Sequence, residues 1–355
     1  KNNSIWIVEV PISRVDDIQR EIDLIEEIGR LHGFNNFVTD LPNIYNIGKE
    51  DFSYQVRKKL TSCFLNEGLN EIVQYSLVND RSESTIKLVN PLILDYSTLR
   101  TSLLPNLIKI ISENFKQGND VLEGFEYGHI FSGDILTNYT EKEVVSGVFG
   151  GLKTKRDWSD TARSLSWFQA KGKIQDLFKK LNLKVNWKTS TKNVYKNILH
   201  QHRTAELYLE DQTYLGIFGQ IHPLSSYKNS ISKDIFLFEF ELEILKKEFK
   251  KQNLPLYQAY PLYPKISKDL SFVVDKKFTF KQIENTILKV GTNYLTNIQL
   301  LDHYEGDSIP KHQVSLCIQL TFQSIEKTLT TKEIEKNLKD IQAFLIEKHN
   351  VKIRF

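Results

Sequence analysis

A chain of 355 residues with 40% hydrophobic and 26% charged side chains is long enough for two or three cores and too apolar to be a disordered segment. Its net charge of +3 is too small to announce nucleic acid by itself, so any RNA contact has to come from local patches. Two cysteines, Cys63 and Cys317, give neither a disulfide framework nor a metal-ligand spacing, and no apolar run approaches a membrane span.

Both cysteines sit among apolar residues and read as buried thiols of a reducing compartment. Methionine is absent and the first residue is Lys1, which suggests a fragment or a processed piece. Lysine, asparagine, isoleucine, phenylalanine and tyrosine are plentiful and alanine scarce, the bias of an AT-rich genome, organellar or similar.

Trp6 to Val10 alternates enough for a short strand, closed by Pro11. Ile18, Ile22, Ile25 and Ile28 then recur at helical spacing, and Gly33 supplies the stop. The other face carries Asp16, Asp17, Glu21, Asp23, Glu26 and Glu27. Asp23, Glu26 and Glu27 share one side of the helix, and Asp17 can fold back toward them. Carboxylates crowded in this way need solvent, a basic partner or a hard cation such as Mg²⁺. As a pattern alone, the run describes a solvated acidic face.

A polar connector from Val38 to Glu50 leads to an amphipathic helix bearing Val56, Leu60, Cys63, Phe64 and Leu65, stopped by Gly68. Ile72 to Val78 reads as a strand. Asn90-Pro91 marks a turn, and Asp95, Ser97 and Thr98 suit the loop after it. Leu103, Leu104, Leu107, Ile108 and Ile111 predict a buried helix with Pro105 in its first turn, so that the loop presents Arg100 beside a core. Val121–Phe131, Val144–Leu152, Leu215–Pro223 and Phe236–Leu242 read as strands, and Trp167–Leu181 as an amphipathic helix. His200 and His202 lack a third ligand at a sensible spacing, so no metal is expected there. This order of elements indicates an α+β arrangement, an antiparallel sheet flanked by helices.

The basic run from Lys246 to Gln252 precedes Pro255, Pro261 and Pro264 and marks a linker, with a boundary near Tyr260. Beyond it, Leu270–Val274, Ile298–Tyr304, Val314–Phe322 and Val351–Phe355 read as strands. One helix spans Phe280–Val290, and a Thr330/Glu333 capping box opens another that carries Ile334, Leu338, Ile341 and Leu345. The result is βαββαβ, the split ferredoxin-like order also used by RNA-recognition modules.

Several of these stretches, in sequence, resemble the bacterial-type phenylalanyl-tRNA synthetase beta chain. The strongest is Leu-Val-Asn-Pro-Leu-Ile-Leu-Asp-Tyr-Ser-Thr-Leu-Arg-Thr-Ser-Leu-Leu-Pro-Asn-Leu-Ile, from Leu88 to Ile108. Asp17, Asp23, Glu26 and Glu27 with Gly33-Phe34 are similar to the close of that family's B5 domain. Glu126 and Gly128 fall in register with a family strand, with His129 in place of a basic residue, and Lys171-Gly172 matches a family pair. His200 to Ala205, His-Gln-His-Arg-Thr-Ala, stands where the family has His-Pro-Gly-Arg-Ser-Ala. Tyr263-Pro264, Lys268-Asp269-Leu270, Asp302, Tyr304, Gly306, Thr328-Leu329-Thr330 and Arg354 resemble its anticodon-binding domain. Lys268 replaces a family arginine, which keeps the charge and loses the bidentate fork.

The resemblance implies four parts: 1–48, the end of a B5-type domain; 49–247, a non-catalytic class II synthetase-like module; 248–261, a linker; and 262–355, a ferredoxin-fold anticodon-binding domain. It implies Mg²⁺ on Asp17, Asp23, Glu26 and Glu27 at the boundary with an alpha subunit, and RNA contacts from Lys268, Tyr304 and Arg354. It also implies an alpha2beta2 ligase that charges tRNA(Phe), with ATP and phenylalanine handled by the alpha subunit. The expected location is the plastid stroma or a bacterial cytoplasm. No catalytic residue is expected in this chain: it has no glycine-rich phosphate loop, no nucleophile elbow and no set of ATP-clamping arginines. Arg100 is then expected to be structural, pairing a carboxylate or a backbone carbonyl. The competing reading is a non-enzymatic RNA-binding or assembly protein built from the same domains.

Overall fold

In the computed structural model, which describes residues 5–41, 43, 48–79, 85–119, 122–134, 138–154, 158, 163–190, 195–231, 234–251, 257, 259–291, 294–306 and 308–354, the chain separates into two units, Lys1–Gln252 and Asn253–Phe355. Val121, Pro255 and Phe355, assigned above to strands and a linker, lie outside the described residues.

The first unit opens with α1 (Glu21–His32) and α2 (Phe52–Asn66), then β1 (Asn70–Glu71), β2 (Leu77–Val78), β3 (Thr98–Leu99) and α3 (Leu104–Lys116). It continues with β4 (Gly124–Asp134), β5 (Asn138–Gly150), β6 (Leu152–Thr154), β7 (Arg163–Ser164), α4 (Trp167–Lys180) and β8 (Val185–Thr189). β9 (Leu199–Leu209), β10 (Tyr214–Ile221), α5 (Pro223–Lys228), β11 (Ile235–Glu241) and α6 (Leu242–Lys251) complete it. Among the described residues a seven-stranded sheet runs β1-β4-β5-β11-β10-β9-β8. Short β1 pairs parallel with β4, and every other neighbour in the sheet is antiparallel.

Strand β11, Ile-Phe-Leu-Phe-Glu-Phe-Glu, explains how the layers form. Successive side chains alternate between faces. Phe236, Phe238 and Phe240 enter one core with Val56, Leu60 and Phe64 of α2 and Ile174, Leu177 and Phe178 of α4. Ile235 and Leu237 enter the other with Leu104, Leu107, Ile108 and Ile111 of α3. With helices on both faces, the strand reads as a nearly continuous apolar run. Ring stacking is dense on the α2/α4 side, with Phe64 4.7 Å from Phe125 and Phe238 4.9 Å from Phe240. Each fully buried phenylalanine stabilises the fold by about 1.5–3 kcal/mol.

Three expectations are corrected here. Trp6 to Val10 forms no strand: Trp6 and Ile7 are 85% and 98% exposed, and no neighbour among the described residues takes their backbone hydrogen bonds. Of Ile72 to Val78 only Leu77–Val78 is strand, as β2; β1 ends at Glu71, just before it, and the chain between is unladdered. The basic run assigned to a linker from residue 248 is helical through Lys251. Leu242 and Leu245 are buried, and Lys246 bridges Glu143 at 2.6 Å and Glu243 at 2.8 Å, so the charges are the outer face of a packed helix.

Helix α1 lies where its spacing placed it, yet Ile22, Ile25 and Ile28 stay exposed and only Gly29 is buried.

The second unit is β12 (Ile266–Asp275), α7 (Phe280–Val290), β13 (Leu295–Tyr304), β14 (Gln313–Phe322), α8 (Thr331–His349) and β15 (Lys352–Arg354), the expected βαββαβ. Its sheet order is β13-β14-β12-β15. Leu270, Phe272, Val274, Leu316, Ile318 and Leu320 meet Ile283 and Ile287 of α7 and Ile334, Ile341 and Leu345 of α8. Both helices open on complete capping boxes, Thr279 with Gln282 and Thr330 with Glu333. Hydrogen bonds from Lys327 and Thr330 push the Glu333 carboxyl down to about 2.

Candidate functional site

Asp17, Asp23 and Glu27, where the sequence leads one to expect a metal, are held by arginines and backbone donors. Arg14 Nη2 sits 2.7 Å from Asp17 and 2.7 Å from Glu27, and Arg30 Nη2 sits 2.5 Å from the second oxygen of Glu27. Asp23 accepts the backbone N–H groups of Arg20 at 2.7 Å and Gln19 at 3.0 Å, so it serves the start of α1 as a cap. All three carboxyls are held below their ordinary values: Asp17 by Arg14, Asp23 by those two backbone donors, and Glu27 by Arg30 and then Arg14. Glu26 is exposed and outside this network. Among the described residues no three histidine, cysteine, aspartate or glutamate side chains are gathered to hold a metal ion. The four acids therefore do not fit a resident Mg²⁺ as they stand. A cation would have to displace Arg14 and Arg30.

A second set of carboxylates lies inside the first unit. Strand register places Glu126, Ser146, Glu239, Ile217 and Glu206 opposite one another on β4, β5, β11, β10 and β9, a row across the sheet on the face that α3 covers. The three glutamates are 1%, 5% and 2% exposed. Glu126 pairs with Arg100 Nη1 at 2.8 Å, and Arg100 also donates to the carbonyl oxygens of His129 at 3.0 Å and Tyr75 at 3.4 Å. The structural role expected for Arg100 is the one it has. Gly128 makes room for it, since a Cβ there would collide with the guanidinium.

Glu239 accepts from Ser102 Oγ at 2.8 Å, the Leu103 N–H at 2.8 Å and the Tyr195 hydroxyl at 3.1 Å. It thereby closes the start of α3, where Ser102 Oγ in turn accepts the Leu104 N–H. Glu206 accepts from Ser190 at 3.0 Å and Tyr208 at 2.6 Å. Burial pushes the Glu126 and Glu239 carboxyls up, against the pull of Arg100 on Glu126 and of the backbone donor on Glu239. Chemically, this is a set of charged and polar groups largely committed to one another, with Glu126 Oε2 the buried oxygen that has no partner among the described residues. The sequence reading found Arg100 and Glu126 but missed Glu206 and Glu239, which are brought into line only by strand register.

In the second unit the strands present Ser267, Asp269, Ser271, Val273, Ser315, Cys317, Gln319 and Thr321 on the face away from α7 and α8. Tyr304 joins that face opposite Ser315, and Arg354 joins it opposite Ser271. They occupy opposite edge strands, three strand spacings or roughly 14 Å apart. Lys268 is paired with Leu320 and belongs to the helix-side register, so the structure does not bring it to the other two. The central strands carry no aromatic residue on the open face, whereas RNA-recognition sheets stack bases there. The unit has 14 lysines and arginines against 11 aspartates and glutamates, which accounts for the whole +3 of the chain.

Family profiles match the chain in three consecutive blocks. The tRNA synthetase B5 domain matches residues 1–34, the phenylalanyl tRNA synthetase beta chain CLM domain 38–242, and the ferredoxin-fold anticodon binding domain 261–354. The chloroplastic phenylalanine–tRNA ligase beta subunit of Phaeodactylum tricornutum is 52% identical over 96% of this chain and 48% of its own length. That of Porphyra purpurea is 35% identical over 98% of this chain and 48% of its own, and the beta subunit of Trichormus variabilis 35% over 98% and 43%. The chain thus spans about half the length of the curated relatives it matches. Among solved structures, pyrrolysyl-tRNA synthetase from Desulfitobacterium hafniense covers 56% of this chain and 70% of its own at 14% identity and a TM-score of 0.42, too slight a likeness to build on. With the CLM profile spanning more than half of its residues, and the other two on either side, the chain belongs to the phenylalanyl-tRNA synthetase beta chain family.

Proposed function

We propose that this chain works as part of a phenylalanine–tRNA ligase beta subunit, supporting ATP-dependent attachment of phenylalanine to tRNA(Phe) by scaffolding an alpha subunit and binding tRNA. The observation that carries the reading is the run of three profiles, in order, across nearly the whole chain. The site geometry agrees with it. Adenylate chemistry needs cations free to clamp phosphate oxygens. Arg100, the arginine nearest the sheet's row of acids, is buried and committed to Glu126 and two carbonyls. Catalysis, with ATP and phenylalanine, is therefore assigned to the alpha subunit of an alpha2beta2 assembly. Chloroplastic relatives favour a plastid location, and relatives such as that of Trichormus variabilis leave a bacterial one as the alternative.

In this reading residues 49–247 form a class II-like module without chemistry, and 262–355 approach the anticodon region. The excess positive charge of the second unit supports that assignment, since phosphate attraction dominates RNA affinity. Arg354 on the open face suits a phosphate and Tyr304 on the far edge a base, while Lys268 acts separately from them. Magnesium at α1 stays outside the reading, because arginines already hold those acids.

The test is aminoacylation with and without an alpha subunit from the same source. Charging of tRNA(Phe) should require both chains, and the chain alone should give no phenylalanine-dependent ATP–pyrophosphate exchange. Robust exchange by the isolated chain would overturn the non-catalytic assignment.

A further inference from the structure

The stretch from His200 to Ala205 reads His-Gln-His-Arg-Thr-Ala. It begins β9, and the pairing of Leu199 with Ile221 brings that beginning beside the end of β10. His200 follows the one residue and His222 the other, and the His222 N–H donates to the Ile198 carbonyl at 2.8 Å. Three histidines and Arg203 are thereby collected at one end of two adjacent strands.

The backbone fixes the chemistry of two of these rings. His200 Nδ1 accepts the His202 N–H at 3.1 Å, and His222 Nδ1 accepts the Leu224 N–H at 3.1 Å. A nitrogen that accepts a hydrogen bond carries no proton, so each neutral ring carries its proton on Nε2. Among the described residues neither Nε2 has a protein partner. Burial, then the charges of Arg203, His202 and His222, push His200 down, which favours the neutral ring. The His202 ring lies 6.2 Å from that of His200.

Arg203 adds the charge. One of its terminal nitrogens donates to Gln220 Oε1 at 2.8 Å, which steadies the guanidinium through a neutral amide and leaves its remaining donors without a partner among the described residues. Gln220 donates in turn to Asp234 at 2.6 Å, so the acid in this chain of contacts is engaged one step away. Arg203 has no ion pair among the described residues. Two imidazole donors with fixed tautomers, beside an arginine without a counter-ion, are the complement of an anion with several oxygens. His202 and Arg203 are exposed, so the patch is not an enclosed pocket for a free nucleotide. It suits one phosphate of an extended backbone.

We propose that His200, Arg203 and His222 form a phosphate-binding patch on the first unit that grips a phosphodiester of the RNA; this rests on the tRNA-binding reading above. Binding of a tRNA(Phe) transcript to the full chain should be measured across a salt series, for the unsubstituted protein and for R203Q, R203K and a His200→Gln/His222→Gln double variant. R203Q should lower the slope of log Kd against log salt by about one, and R203K should restore most of it. The double variant should weaken binding between about two- and tenfold at unchanged slope. Thermal melts matching the unsubstituted chain establish that all variants are folded. In a titration with inorganic phosphate, the ring resonances of His200 and His222 should shift together.

Equal affinity and slope for R203Q would overturn the proposal. Ring shifts with phosphate but no effect on RNA would overturn the assignment to RNA and leave a site for free phosphate. Failure of the unsubstituted chain to bind tRNA(Phe) at all would overturn the tRNA-binding reading as well, and is recognised because no substitution is needed to see it.

Discussion

Two sets of acidic side chains in this molecule meet opposite fates. On α1, Asp17, Asp23 and Glu27 lie near solvent, are neutralised by Arg14, Arg20 and Arg30, and have lowered carboxyl values. Inside the first unit, Glu126 and Glu239 are nearly inaccessible and have raised values, because loss of water penalises the ionised form more than their partners favour it. The helical set is the one that looks functional in a sequence. The sheet set carries the larger share of the energetics, since a charge taken out of water is costly to leave unpaired.

The sharpest way to break this contrast is Arg100→Met. It strands Glu126 among apolar groups and should cost about 3–5 kcal/mol in chemical denaturation of the full chain. A loss no greater than that of an exposed substitution would mean Glu126 finds another partner, and would dissolve the contrast.

Glu239→Gln gives a smaller and pH-dependent effect. A carboxyl whose folded value is raised adds stability below its ordinary value and loses it as pH rises through the raised one. Relative to E239Q, the unsubstituted chain should therefore weaken as pH rises above the ordinary carboxyl value, by up to about 1.4 kcal/mol per pH unit. The amide still accepts from Ser102 and the Leu103 N–H. Parallel stability–pH curves for the two proteins would refute a raised value at this position.

Smallest is the effect of Glu27→Gln on α1, which should leave the melting temperature unchanged with or without added Mg²⁺. A magnesium-dependent rise in the unsubstituted chain that E27Q abolishes would restore the acids as a ligand set and show that the arginines yield to the cation.

How much of this was legible follows from where the information sits. The helices α1, α3, α7 and α8 were readable because apolar spacing and capping residues such as Thr330 and Glu333 are local. The ferredoxin-like order followed from alternation in β12 and β14. Strand β8 was missed, since Val-Asn-Trp-Lys-Thr is too short to stand out, and α6 was hidden by its lysines, which cover a buried leucine face. Lys268 and Arg354 looked equivalent as basic residues near the small sheet, but register sends them to different faces. The row of glutamates was beyond reach: positions 126, 206 and 239 become neighbours only once five strands are aligned.

That alignment also makes a slipped register costly. Should β11 slip by one residue, Glu239 would change faces and displace a phenylalanine from the stack around Phe149 and Phe218, with no donor to receive it. The same holds for Glu126 against Phe64 and for Glu206 against Trp187. Each mispaired ladder would carry an unpaired carboxylate into an aromatic layer, so the three glutamates penalise a one-residue slip on three different strands.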